Sequence, residues 1–457
     1  MNKNIKSFLK FISSKDLFIW DVKSHFISSN IFKENIPFVL FGDFLSKGNI
    51  SKIEIKDNVT YKILGVKSYG KGVFENRIVL GKTLKMKTYQ IAQENHLFWC
   101  KVDTKNGAFG VVTKSLSDGI ASSNMTFAKI NIDKINITYL QTLFKSKKIN
   151  TYLDSYVTGT TNRKYIKPNQ LLTEIKIPLP ILKEQNRIVI KYTNKILLAE
   201  NQEKEAKEIE ESIEKYLFKE LGIEKIEKKV KNSKLQFIAS KNLDRWDTLF
   251  LIGNIPILKA KYPIVKFSKI ITHFNTNKKD DSLRINSKNY PDKDFFYIGM
   301  EHIEKETGKL LQDGYVKGKE IKSQTIEVPS NYLLYGKLRP YLNKYWINSL
   351  DKNNIICSSE FFVFDIDENI NKLFFKYCLS SNFIQMQITD KTSGARMPRI
   401  NEATFMSLDT PIPPIEIQNK IAIEITKRKE KITQLKQDAL KNREDAIKEF
   451  EEEIFTK

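Results

Sequence analysis

The chain has 457 residues, 41% hydrophobic and 11% aromatic, which is too long for one ordinary domain and too apolar for a disordered chain. Lys and Arg number 76 against 54 Asp and Glu, and the formal net charge of +22 points to a polyanionic partner, either nucleic acid or an acidic membrane surface. Cys100, Cys357 and Cys378 do not make a disulfide framework or a zinc ribbon, and the four histidines form no ligand-spaced pair, so no metal site is predicted. No run approaches 18 apolar residues, and Met1 to Phe8 lead into no apolar signal segment. The sequence is therefore read as cytoplasmic, without a membrane span.

In chain order, the first 180 residues set short β-branched and aromatic runs, such as Ile78-Val79-Leu80 and Phe109-Gly110-Val111-Val112, between turn-forming Gly, Asn and Asp. This predicts an α+β globular domain. Ile177-Pro178-Leu179-Pro180 closes it, and a long helix opens just beyond, because proline can begin a helix but not sit inside one. Along that helix Ile188, Tyr192, Lys195, Ala199, Gln202, Ala206, Ile209, Ile213 and Tyr216 recur at alternating steps of four and three, a heptad seam. A second mixed segment follows, with a strand signal at Phe361-Phe362-Val363-Phe364 and a helical stretch from Asn371 to Gln387. It ends at Pro411-Ile412-Pro413-Pro414, before a second long helix.

The two halves are one unit written twice. The proline junctions lie 233 residues apart, and each is followed by Gln-Asn, at Gln185-Asn186 and Gln418-Asn419. Thr158-Gly159 matches Ser393-Gly394, Ile135-Asn136 matches Ile370-Asn371, Ser122-Ser123 matches Ser358-Ser359, and Gly65 matches Gly299, at offsets of 234 to 236. Trp20-Asp21 and Trp246-Asp247 lie 226 apart. The heptad phase is shared as well, which predicts that the helices pair antiparallel, with Ile188, Tyr192, Ile209 and Ile213 against Ile432, Leu435 and Ala446. Polar positions at Lys195, Gln202, Arg428 and Asn442 weaken this seam but can fix its register.

Catalytic signatures are missing from the sequence: there is no Walker A run, no G-x-G-x-x-G after a strand, no H-E-x-x-H and no Gly-x-Ser-x-Gly elbow. A binding protein is the reading that remains. Tyr335 to Tyr345 interleave cations, amides and aromatics, and Lys337, Arg339, Asn343 and Lys344 are candidates for phosphate or base contacts. Ser393 to Ile400 form a polar loop with Arg396 and Arg399. Its counterpart, Thr158 to Lys164, offers Thr160, Asn162 and Lys164. For any one of these residues the alternative is that the loop only closes its domain and packs against the helices.

The paired Pro-x-Pro…Gln helix starts, Ser393-Gly394-Ala395-Arg396-Met397-Pro398-Arg399-Ile400, Tyr335-Gly336-Lys337-Leu338-Arg339-Pro340-Tyr341-Leu342 and Arg245-Trp246-Asp247 together resemble the specificity subunits of type I restriction–modification enzymes over nearly the whole chain. The resemblance implies a first target-recognition domain over residues 1–180, a central conserved helix over 181–221, a linker and second recognition domain over 222–414, and a C-terminal conserved helix over 415–457. It implies that each domain reads one half of a split site in double-stranded DNA. It also implies that the helices dock two modification subunits, which methylate adenine, and restriction or translocase subunits. No catalysis and no cofactor are implied for this chain; S-adenosylmethionine, ATP and Mg would sit on the partners. The first domain departs from the pattern, with Thr-Gly-Thr-Thr-Asn-Arg in place of the Met-Pro loop and Phe98-Trp99-Cys100-Lys101 in place of Tyr-Gly-Lys-Leu-Arg-Pro. The alternatives are a specificity subunit of a type IIG or phage-defence methyltransferase system, from another class a membrane-surface scaffold, and third an enzyme with an unrecognised site.

Overall fold

A computed structural model describes residues 31–47, 51–101, 107–156, 166–224, 259–274, 283–392 and 397–456. The chain forms two compact units, the first made of Met1–Glu203 with Lys436–Lys457 and the second of Lys204–Leu435. The Trp-Asp pairs of the repeat lie outside the described residues.

The strands of the first unit are β1 (Phe38–Leu40), β2 (Leu45–Ser46), β3 (Lys52–Glu54), β4 (Thr60–Lys67), β5 (Gly72–Leu80), β6 (Thr88–Ile91), β7 (His96–Cys100), β8 (Phe109–Val111), β9 (Ile120–Ala121), β10 (Met125–Ile130) and β11 (Lys176–Pro178). Helices α1 (Ile137–Lys145), α2 (Lys147–Asp154) and α3 (Pro168–Thr173) precede the long α4 (Leu182–Leu221). The sheet orders are β2-β10-β7-β8, β3-β6-β9-β4-β5 and β1-β11. β7 is buried at all five positions, with the apolar run Leu97 to Cys100 behind a buried His96 in a central strand. Its Trp99 joins Phe109, Phe144 and Leu153 in the main core.

The second unit repeats this plan. Its strands are β12 (Ile264–Lys266), β13 (Ile271–His273), β14 (Arg284–Ile285), β15 (Asp294–Ile298), β16 (Val316–Lys317), β17 (Thr325–Glu327), β18 (Leu333–Gly336), β19 (Tyr345–Ile347), β20 (Ile355–Ser358), β21 (Phe361–Ile366) and β22 (Asp409–Pro411). Helices α5 (Lys372–Ser380), α6 (Asn382–Lys391) and α7 (Glu402–Met406) precede the long α8 (Ile415–Ile454). The sheet orders β13-β21-β18-β19, β14-β17-β20-β15-β16 and β12-β22 match those of the first unit strand for strand. Each five-stranded sheet has one parallel pair, β4 with β9 and β15 with β20. Folding is therefore duplicated where sequence identity is low.

The Pro…Gln-Asn junction explains why. Gln185 is fully buried; its Nε2 donates to the carbonyls of Pro180 at 2.8 Å and Lys134 at 3.1 Å, and its Oε1 accepts from the Asn136 backbone N–H at 2.7 Å. In the second unit Gln418 Nε2 donates to the Pro413 carbonyl at 2.9 Å, and Oε1 accepts from Asn371 N–H at 2.9 Å. Asn136 and Asn371 cap α1 and α5 through their side chains and donate to Asn186 and Asn419. One glutamine thus ties the long helix to its own globular part, pairing the proline carbonyl ahead of the helix and the backbone N–H of the asparagine that caps the neighbouring helix.

The unit boundaries cut both long helices, so each globular part closes over a stretch of α4 and a stretch of α8, where the sequence placed the domain limits at the helix starts. The cores require it: Ile188 and Tyr192 cluster with Ala446, Phe450 and Ile454 in the first unit, and Leu217 and Leu221 with Ile421 and Ile425 in the second. Within each unit the two helices run antiparallel. In the first, Arg187 forks Glu453 at 2.9 and 3.1 Å, Lys195 meets Glu449 at 2.9 Å, and Asn442 donates to Gln202 at 2.9 Å. In the second, Ile209 and Ile213 pack on Ala206, Ile432 and Leu435, and Arg428 donates to Ser212 O and Oγ with its guanidinium over the Tyr216 ring. Each polar seam position therefore has a partner on the facing helix, Gln202 with Asn442, Lys195 with Glu449 and Arg428 with Ser212, which specifies register.

Candidate nucleic-acid interface

In the second unit, β18 is an apolar run buried at all four positions in the middle of its sheet, and it emerges at Gly336 into polar sequence. Backbone bonds then gather residues far apart in the chain. Lys337 N–H donates to Glu360 O at 2.8 Å, Ile400 N–H to Lys337 O at 3.1 Å and Arg339 N–H to Pro398 O at 2.7 Å, and Leu338 bridges Arg399. Lys337, Arg339 and Arg399 thus share one rim. Arg339 is exposed, and its guanidinium has no partner among the described residues. Its backbone lies at φ 48°, although it precedes Pro340, a setting that favours extended conformations. The hydrogen bond to Pro398 holds it in this strained form, which costs roughly 1–3 kcal/mol.

The other candidates divide. Lys337 Nζ donates to Ser359 O at 2.7 Å and lies 4.9 Å over the Phe362 ring, and burial pushes its ammonium below the ordinary lysine value. Arg399 holds Glu360 at 3.2 and 3.3 Å. Lys344 Nζ donates to Met300 O. Asn343 is not an interface residue: it is 2% exposed, sits in a left-handed turn at φ 43°, and its Nδ2 donates to Leu379 O at 3.1 Å, pinning the end of α5. Its place in a cation-rich run concealed a turn residue, since asparagine is among the few side chains that tolerate this conformation. Arg396, Thr160, Asn162 and Lys164 lie outside the described residues.

The sequence reading missed a cleft of about 420 Å³ beside this rim. Arg284, Asn286, Lys288, Lys322, Gln324 and Ser359 are among the residues that line it. Among the described residues three cations line it and no carboxylate does. It is continuous with the rim, because Ser359 N–H donates to Gln324 O at 3.0 Å while Ser359 O accepts from Lys337. Nearby, the imidazole of His273 is pushed down to about 4, by burial first and then by the charges of Lys337 and Arg284. Isolated polar residues in three separate segments carry no sequence signal of such a cleft. Its basic lining and amide groups suit phosphate and base-edge contacts.

Among the described residues no cluster of His, Cys, Asp and Glu could hold a metal ion, and no helix is long and apolar enough to cross a membrane. No family model matches the chain. A curated protein, the type I restriction enzyme EcoDI specificity subunit of Escherichia coli, is 29% identical over 147 residues, which span 30% of this chain and 29% of that protein. The chain resembles the type I specificity subunits. A chain from a solved structure of complex assembly and conformational transition in the type I R-M system aligns over 92% of this chain and 96% of its own length, with TM-score 0.54 and 12% identity. The solved HsdS subunit from Thermoanaerobacter tengcongensis aligns over 92% and 95%, with TM-score 0.47 and 13% identity. The sequence match thus covers part of the chain, and the likeness to the chain from the type I R-M system is one of fold.

Proposed function

We propose that the chain is the DNA-sequence-specificity subunit of a type I restriction–modification complex. It reads a bipartite site in double-stranded DNA, one half with each globular part, and has no catalysis of its own. The observation that carries this reading is duplication: two α+β units of one topology, each closing over antiparallel stretches of the same two helices, in a chain of net charge +22. A duplicated reader suits two half-sites, and the positive charge suits the phosphate backbone. Repeated surfaces on the helices offer equivalent seats to two modification subunits: Ile190 and Ile423, 233 residues apart, are 58% and 69% exposed. Restriction or translocase subunits complete the assembly. S-adenosylmethionine, ATP and Mg belong to those partners, and the complex works in the cytoplasm. The test is methylation-aware sequencing of DNA from cells carrying the chain with its modification partner. A split adenine-methylated motif that vanishes without this chain is the expected result; a methylome indifferent to the chain would overturn the reading.

A further inference from the structure

The edge strand β14 and its neighbour β17 have direct counterparts in β3 and β6 of the first unit, since the sheet orders coincide. Register aligns them residue by residue. Arg284 pairs with Ile326 as Lys52 pairs with Gln90, and Ile326 pairs in turn with Cys357, just before Ser358-Ser359, as Gln90 pairs with Ala121, just before Ser122-Ser123. Under this alignment Asn286 and Gln324 occupy the positions of Glu54 and Thr88, which face each other in the β3–β6 ladder. All four are exposed. The backbone scaffold is therefore held constant and a cation is kept at Lys52 and Arg284, while at this exposed pair two amides stand where the first unit has a carboxylate and a hydroxyl. A packing role would predict the reverse, because exposed edge positions contribute little to the core.

We infer that this sheet edge is the base-selecting element of each unit and that Asn286 and Gln324, in the cleft of the second unit, determine specificity for its half-site; this rests on the DNA-reading function proposed above. The amides have the donor–acceptor pattern that matches adenine N6 and N7, whereas a carboxylate at Glu54 can only accept, as from cytosine N4. Lys288 and Lys322 line the same cleft and supply phosphate contacts that orient the duplex. Gln324 uses only its backbone carbonyl in holding Ser359, so its side chain is available to a ligand without loss to the fold. Asn286 Oδ1 accepts from Lys288 N–H at 3.2 Å, which sets the amide's orientation and leaves Nδ2 as a donor.

The test uses the full chain with its modification partner in cells, read by methylation-aware sequencing, with Gln324→Ala and Asn286→Ala compared with the unaltered chain. Each variant is expected to keep the half-motif read by the first unit and to lose discrimination at one position of the other half, by about 5- to 150-fold. Lys322→Ala should leave the motif intact, weaken DNA binding by the purified complex, and reduce the slope of log K against log[salt] by about one. An unaltered chain that yields a split motif, with both amide variants yielding the same motif undiminished, overturns the cleft assignment alone. An unaltered chain that yields no motif overturns the DNA-reading function and this inference with it. Thermal melts that match the unaltered chain show that lost discrimination reflects reading and not folding; a Gln324→Ala variant that melts well below it places the side chain in the fold and also overturns the assignment.

Discussion

Replacing Gln185 by Leu keeps the size of the side chain and removes its polarity. Three backbone groups lose their partners: the Asn136 N–H and the carbonyls of Lys134 and Pro180. The site is 0% exposed, so water cannot replace them. Each orphaned group costs about 1–3 kcal/mol; at the low end of that range the variant loses about 3 kcal/mol. For a unit of this size, 1 kcal/mol corresponds to about 2–4 °C, so its melting transition should fall by roughly 6–12 °C. Gln418→Leu orphans two such groups, Asn371 N–H and Pro413 O, and should lose about 2 kcal/mol. Differential scanning calorimetry on the purified chain measures both. A Gln185→Leu chain that melts with the unaltered one, or a Gln418→Leu chain that is the less stable of the two, would refute the argument that these glutamines anchor the long helices to their globular parts.

Leu435→Ala removes a side chain 5% exposed among Ala206, Ile209, Ile213 and Ile432, and should cost about 2–5 kcal/mol in denaturant unfolding. Arg339→Gly relieves the left-handed backbone at that position, so thermal stability should hold or rise by about 1 kcal/mol while DNA affinity falls in a binding titration; a drop in stability would show that the side chain packs. Lys429 is pushed down to about 8, first by burial and then by Lys376. Between pH 8 and the ordinary lysine value the unfolded chain binds the extra proton, so stability rises with pH across that window, and Lys429→Met should stabilise the chain by about 1 kcal/mol at pH 7 with an advantage that shrinks above pH 8. Glu453 is pushed down to about 2 by its hydrogen bonds to Arg187 and then Lys191. Its contribution is complete above the ordinary carboxylate range and is lost as pH falls toward 2; Glu453→Gln should cost about 1 kcal/mol at pH 7, and the difference in urea midpoints should narrow below pH 4.

Much of this architecture is set by local sequence. The proline junctions end strands and open helices whatever surrounds them, and the four–three spacing puts Ile188, Ile209, Ile432 and Leu435 on one side of a helix by geometry alone. The repeat was legible because the same few residues recur at the same spacing, among them the Gln-Asn pair whose bonds tie helix to domain in both halves. Three things required the tertiary structure. The division into units cuts the helices, because each core is completed by helix faces from distant parts of the chain, and no local signal reports which core a helix residue joins. Asn343 reads as a DNA contact in a run of cations and aromatics, but the chain turns left-handed there and buries the amide under α5; burial depends on what packs over a residue, not on its neighbours in sequence. The cleft is assembled from residues near 284, 322 and 359, each an ordinary polar residue in its own segment. Only the pairing of β14 with β17 and the bond from Ser359 to Gln324 bring these cations and amides to one concave surface, where their positive potential adds.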